Sequence, residues 1–229
     1  MAKRAIKFGD YDTAVTGLWT LTGWTLSSPE QQTNFVEVPG RRGGLLDLST
    51  ALTDGEPVYN SRTLKATFES SEGTRLEREA RINTMLNTLD GYSMKIVLPD
   101  DSTHHMVGRV TVKKNYNDNA HAAVEVSAVC EPWRYNSTPK RYIHNLVNNL
   151  SAGVYLTNPG RSPATPTITI ESAGSDGVTV KWEGYTWVLS NGTYVLTPIV
   201  FSPGVQTQIR LSTTTAGPRI IIEYNTGEL

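Results

Sequence analysis

The stretch that decides the fold runs from Leu64-Lys65-Ala66-Thr67-Phe68-Glu69 through Thr74-Arg75-Leu76-Glu77-Arg78-Glu79-Ala80-Arg81-Ile82-Asn83-Thr84-Met85-Leu86-Asn87-Thr88-Leu89 to Asp90-Gly91. Its first part alternates apolar and polar residues without a break. Successive side chains of a strand point to opposite sides, so this is a strand with one wet face. The second part changes period. Ile82, Met85, Leu86 and Leu89 fall at i, i+3, i+4 and i+7 and make one apolar stripe on a helix. Thr74 and Glu77 have the spacing of a capping box, in which hydroxyl and carboxylate satisfy the free amides of the first turn. Gly91 stands where a helix ends on a left-handed residue. The sequence therefore predicts a helix over 74–90. Arg75, Arg78, Glu79 and Arg81 read as its solvated face, with contact to a partner as the alternative use of three arginines.

Everything around this helix reads as strand. Upstream, residues 5–8, 15–26, 33–38 and 46–49 carry the aromatic and β-branched residues that pack on a pleated surface. Downstream, Ser93 to Leu98, Met106 to Lys114 and Ala122 to Cys130 are further strands. Many strands with short turns and one helix predict a β-sandwich with a helix against it. That unit closes at Glu131-Pro132-Trp133-Arg134-Tyr135-Asn136, where strand pattern gives way to proline and aromatics. The domains are accordingly 1–133 and 134–229. The second has no helical pattern, and its strands recur at the spacing of about 8–12 residues that suggests a small sandwich. Asn191-Gly192, between Tyr185-Thr186-Trp187-Val188-Leu189 and Tyr194-Val195-Leu196, predicts a hairpin turn.

One break stands out. Val38-Pro39-Gly40-Arg41-Arg42-Gly43-Gly44-Leu45 ends a strand, passes through a constrained turn and restarts one. Glycine admits backbone angles closed to other residues and proline fixes its own, so this turn has a set shape with two adjacent cations in it. Arg41 and Arg42 are the candidate contacts to another molecule.

Composition narrows the function. A net charge of −1 over 229 residues argues against an electrostatic grip on nucleic acid. No run reaches the roughly 20 apolar residues of a membrane span, and the basic start lacks the apolar core of a signal peptide, so synthesis in a cytosol is expected. Cys130 is the sole cysteine and sits in an apolar run, which reads as a buried structural thiol. His104-His105, with Asp100, Asp101 and His121, resembles a ligand cluster, but adjacent strand residues face opposite ways, so no metal or other cofactor is expected. Asp10 and Asp12 read as turn chemistry rather than a calcium loop. No catalytic signature is present, and no enzyme is expected. Trp182, Tyr185 and Trp187 are candidates for stacking on sugar rings, against the alternative that they fill the core.

Together the residues resemble the distal tail proteins of long-tailed, non-contractile bacteriophages. The likeness rests on Val38-Pro39-Gly40-Arg41, Gly44-Leu45-Leu46-Asp47-Leu48, then Tyr59, Arg62, Leu64 and Phe68, the single helix, and Glu131-Pro132-Trp133-Arg134-Tyr135. In the second domain it rests on Asn158-Pro159-Gly160, Pro163 and Pro166 before Thr167-Ile168-Thr169-Ile170, Phe201-Ser202-Pro203-Gly204, and Ile220-Ile221-Ile222-Glu223-Tyr224 with Gly227-Glu228-Leu229. The resemblance implies a ring-forming first domain and a galectin-like second domain. It further implies a homohexamer at the virion tail tip that joins the tail tube protein to a hub or lysin-type protein, with receptor-binding proteins as further neighbours. DNA would pass through without specific binding. The alternative is a carbohydrate-binding module that contacts the host surface.

Overall fold

The computed structural model describes residues 4–37, 45–51, 53, 55–147, 151–214 and 217–229. The chain is mainly β, carries one helix among the described residues, and divides into two compact units, Met1–Arg134 and Tyr135–Leu229.

The first unit contains β1 (Lys7–Phe8), β2 (Tyr11–Asp12), β3 (Thr20–Leu26), β4 (Phe35–Glu37), β5 (Leu45–Asp47), β6 (Arg62–Ser70), helix α1 (Arg75–Leu89), β7 (Ser93–Leu98), β8 (Asp101–Asn117) and β9 (Ala122–Cys130). Its main sheet runs β2-β1-β7-β8-β9-β6-β3. Register decides which face is dry. Leu64 lies opposite Ala128, Ala66 opposite Val126 and Phe68 opposite Val124, and Val110 and Val112 continue the rows on β8. These side chains are buried, and Ile82, Met85 and Leu89 of α1 close over them. Burying each large apolar side chain contributes about 1.5–3 kcal/mol. Among the described residues β4 and β5 pair only with each other.

The capping box forms as the spacing predicts. Glu77 N donates to Thr74 Oγ1 at 3.3 Å and Thr74 N donates to Glu77 Oε2 at 2.6 Å. Gly91, at φ +80°, turns the chain, and its N–H donates to Val110 O at 2.8 Å. One expectation fails here. Arg78 is not solvated; it is 1% exposed and donates to the carbonyls of Gly73 and Asp118. It lies four residues before Ile82, so the buried stripe extends one turn further back than its apolar residues do. Glu79 behaves as a surface residue, paired with Lys114 at 2.7 Å. The strand expected over 15–26 is also shorter and begins at Thr20, because Asp12 Oδ1 accepts from Ala14 N and Val15 N and curls the preceding residues into a turn. β3 then bulges between Leu21 and Gly23, which resets its alternation so that Leu21, Trp24 and Leu26 all pack on the core.

The second unit begins within β10 (Arg134–Asn136) and contains β11 (Lys140–Asn145), β12 (Ser151–Thr157), β13 (Thr167–Glu171), β14 (Val178–Trp182), β15 (Tyr185–Leu189), β16 (Gly192–Val195), β17 (Gln206–Ser212), β18 (Arg219–Tyr224) and β19 (Gly227–Glu228). Two four-stranded antiparallel sheets, β11-β18-β13-β16 and β12-β17-β14-β15, share one core. Ile168, Ile170, Ile220 and Ile222 supply it from one sheet, and Val178, Val180, Ile209 and Leu211 from the other. Asn158, fully buried, donates to Ser162 O at 2.7 Å and Phe201 O at 2.9 Å and accepts from Gly160 N at 2.9 Å. Those bonds satisfy the backbone of the breaker-rich loop before β13.

The hairpin expected at Asn191-Gly192 does not form. β15 pairs with β14 and β16 pairs with β13, so the chain crosses between sheets there. Asn191 serves the crossing instead: its Oδ1 accepts from Ala173 N at 2.7 Å. The hairpin is one step earlier, where Trp182 faces Tyr185 across Glu183 (φ +41°) and Gly184 (φ +88°). Two successive left-handed residues match the strand twist, which is what a two-residue hairpin needs.

Candidate functional site

Arg41 and Arg42 fall in residues 38–44, outside the described residues. The strands that flank them are described and form an antiparallel arm, with Phe35 opposite Asp47 and Glu37 opposite Leu45. Asn34 N donates to Ser49 Oγ at 2.8 Å and closes the arm's base. Phe35, Val36 and Leu45 are exposed on it.

The motif residues that close the first unit gather at one place. Tyr59 meets Trp133 edge-on at 5.6 Å. Arg62 donates to Ser27 O at 3.0 Å, and burial, reinforced by the Arg134 charge, pulls its pKa below the ordinary value. Arg134 approaches Asp101 at 3.6 Å, and Asp101 also meets His104 Nδ1 at 2.9 Å. Burial pushes the Asp101 carboxyl up, but hydrogen bonds from His104 and Thr103 outweigh it and hold the group below the ordinary range. His105 is buried beside this pair, and burial lowers its pKa. Among the described residues no group of three histidine, cysteine or acidic side chains is gathered to hold a metal ion. Cys130 is buried, and burial pushes its thiol up to about 11, so it stays protonated and unreactive at neutral pH.

The aromatic candidates do come together. Trp182 and Tyr185 lie 6.2 Å apart with rings 18° from parallel, and Tyr185 and Trp187 lie 5.6 Å apart at 10°. The strand pleat places all three on one face. The tryptophans are half-buried against the core, whereas Tyr185 is 52% exposed. Beside the row opens a depression of about 610 Å³ whose lining includes Lys181, Glu183, Gln208 and Arg210. Sequence reading missed these four. The aromatic cluster is local and legible, but Lys181 and Arg210 meet only through the β14–β17 register.

No family model and no curated protein matches the chain. Among solved structures it is similar to the SPP1 Dit (gp 19.1) protein, described as a paradigm of the hub adsorption apparatus in phages that infect Gram-positive hosts. The two share 14% identity and a TM-score of 0.59, over 98% of this chain and 99% of that one. At that identity the likeness is one of fold. A conserved protein of unknown function, PA5104 from Pseudomonas aeruginosa PAO1, aligns at 9% identity with a TM-score of 0.27 over 89% of this chain and 99% of that one. Among the described residues no helix is long and apolar enough to cross a membrane.

Proposed function

We propose that the chain is a structural distal tail protein of a phage or prophage. Its first unit builds a hexameric ring that joins the tail tube to the tail-tip hub, and the chain performs no catalysis. One observation carries the reading: a fold similar along nearly its whole length to an adsorption-hub protein bears an apolar arm with no further partner strand among the described residues. An isolated two-stranded hairpin is marginal in water. This one exposes Phe35 (54%), Val36 (42%) and Leu45 (54%). Burying such side chains against a neighbour recovers about 25 cal/mol per Å². A head-to-tail ring needs two different complementary patches on each subunit, and the arm supplies one. Arg41 and Arg42, carried between the arm's strands, contact the neighbour or face the pore. The tube protein and a hub or lysin-type protein are the axial partners, with receptor-binding proteins further out. The near-neutral chain suits a conduit through which DNA slides unbound.

The test is the mass of the purified chain, alone and with tube and hub proteins, by light scattering and negative-stain microscopy. A six-lobed ring is expected. Replacing Phe35 and Leu45 together with serine should abolish the ring and leave the melting temperature of the subunit unchanged. A monomer with no affinity for either partner overturns the reading.

A further inference from the structure

We infer that the arm of one copy docks on a second copy, over the depression between helix α1 and the end of β8. The inference rests on the ring and supplies what the ring still lacks, the patch that receives the arm. The register of the arm sets its chemistry. Phe35 stands opposite Asp47 and Glu37 opposite Leu45, and alternation puts these four side chains on one face, with Val36 and Leu46 on the other. All four are exposed, so that face alternates two apolar groups with two carboxylates. Asp47 is already engaged, since its Oδ1 accepts from Ser49 N at 2.9 Å. Glu37 has no side-chain hydrogen bond or ion pair among the described residues.

The depression offers the complement. It holds about 410 Å³ and is lined by Arg75, Leu76, Glu79, Lys114 and Asn117. Leu76 is 79% exposed, whereas Ile82, Met85, Leu86 and Leu89 of the same helix pack on the core. Glu79 occupies both Lys114 and Asn117, at 2.7 Å each. Arg75 is exposed and has no side-chain hydrogen bond or ion pair among the described residues. An apolar side chain beside an open cation thus matches an apolar pair beside an open carboxylate. Phe35 and Leu45 would bury Leu76, and a charge-assisted bond from Arg75 to Glu37 would fix the orientation. Rival positions on the first unit lack this match. The turn 13–18 that exposes Val15 and Leu18 carries no cation. The exposed Val129 faces Arg109, whose guanidinium already donates to Gly91 O.

The experiment uses the full chain, alone and with tube and hub proteins, and follows assembly by light scattering. Glu37→Arg and Arg75→Glu should each raise the concentration at half assembly about tenfold or more, and the two together should restore it to within about threefold. Both positions are exposed, so the melting temperature of the subunit should hold in all three variants. In parallel, a chain with Phe35→Cys and Leu76→Cys is oxidised with copper phenanthroline and run without reductant. Cys130 is buried and protonated, and stays out of the reaction. Disulfides between copies should give a ladder that climbs to the hexamer, and neither single variant should pass a dimer. A ring without the ladder, or a double reversal no better than the single ones, overturns the docking site and leaves the ring standing. A disulfide closed within one chain overturns it as well, because the arm then lies on its own subunit. If no mixture forms a ring, the ring reading falls and the docking site falls with it.

Discussion

The two units cover their sheets with different materials. The first closes an antiparallel sheet with a helix and buries charged or titratable side chains to do so: Arg62, Arg78 and His105 are each at most 9% exposed. The second closes two sheets on each other, and its buried polar residues, Asn158, Ser162, Thr207, Thr213 and Thr226, carry no charge. Part of the difference lies in the loops around the helix. Loop carbonyls packed under a helix need a donor when they are buried. Arg78 answers two carbonyls at once, those of Gly73 and Asp118. Strands in a sandwich satisfy one another, so a neutral asparagine suffices at the loop before β13. Stability of the first unit should therefore depend on ionisation, and that of the second on packing.

The largest effect should come from the second unit's core. Phe201 is fully buried and meets Tyr224 edge-on at 4.9 Å. Phe201→Ala should cost about 3–5 kcal/mol. Hydrogen exchange read by mass spectrometry should show lost protection in peptides of 151–224 and none in those of 62–130. Arg78→Met should give the reverse pattern. It keeps the stem but strands two carbonyls, at a cost of about 2–3 kcal/mol. Equal loss in both units from either change would break the comparison.

Acid sharpens it further. In the first unit five carboxyls are held below their ordinary range. The Ser49 hydrogen bonds lower Asp47, the Thr74 N–H lowers Glu77, Lys114 lowers Glu79, the bonds from His104 and Thr103 lower Asp101 against its burial, and the His121 and Ala120 amides lower Asp118. In the second unit Asp176, bonded by Thr214, is the only one among the described residues. A carboxyl depressed on folding contributes stability above its unfolded pKa, and that contribution is lost as pH falls through the folded value. The buried His105 adds a loss that begins near 6.5 as the unfolded chain gains its proton first. Between pH 6.5 and 3 the first unit should lose exchange protection before the second, and Glu77→Gln should remove part of that slope at the helix start. Simultaneous loss would show that ionisation is shared evenly.

How much of this was legible follows the same division. The helix, its cap and its end could be read because each depends on residues within a turn of one another. Arg78 was misread because a charge on a helix is solvated by default; its position four before Ile82 was the available signal, and the carbonyls that hold it come partly from the distant Asp118 loop. The strands of the second unit could be placed from alternation, but their partners could not. Asn191-Gly192 carries the stronger local turn signature, yet the sheet that receives β16 is chosen by Ile168 and its neighbours, not by the turn. For the same reason the aromatic half of the candidate site was visible and the cationic half was not.

The smallest effect tests that last point. At the real hairpin, Glu183 occupies the first left-handed position and Gly184, at φ +88°, the second. Asparagine tolerates the first far better than glutamate, because its short polar side chain bonds locally to the backbone. If the turn alone shaped this residue, asparagine would serve it. Glu183→Asn should therefore stabilise the second unit by about 0.5–1 kcal/mol, which in a domain of this size raises the melting temperature by a few degrees. Protection should rise in the peptide that spans Trp182 and Tyr185, with the first unit untouched. No gain in stability would show that the hairpin accommodates glutamate at this position without strain.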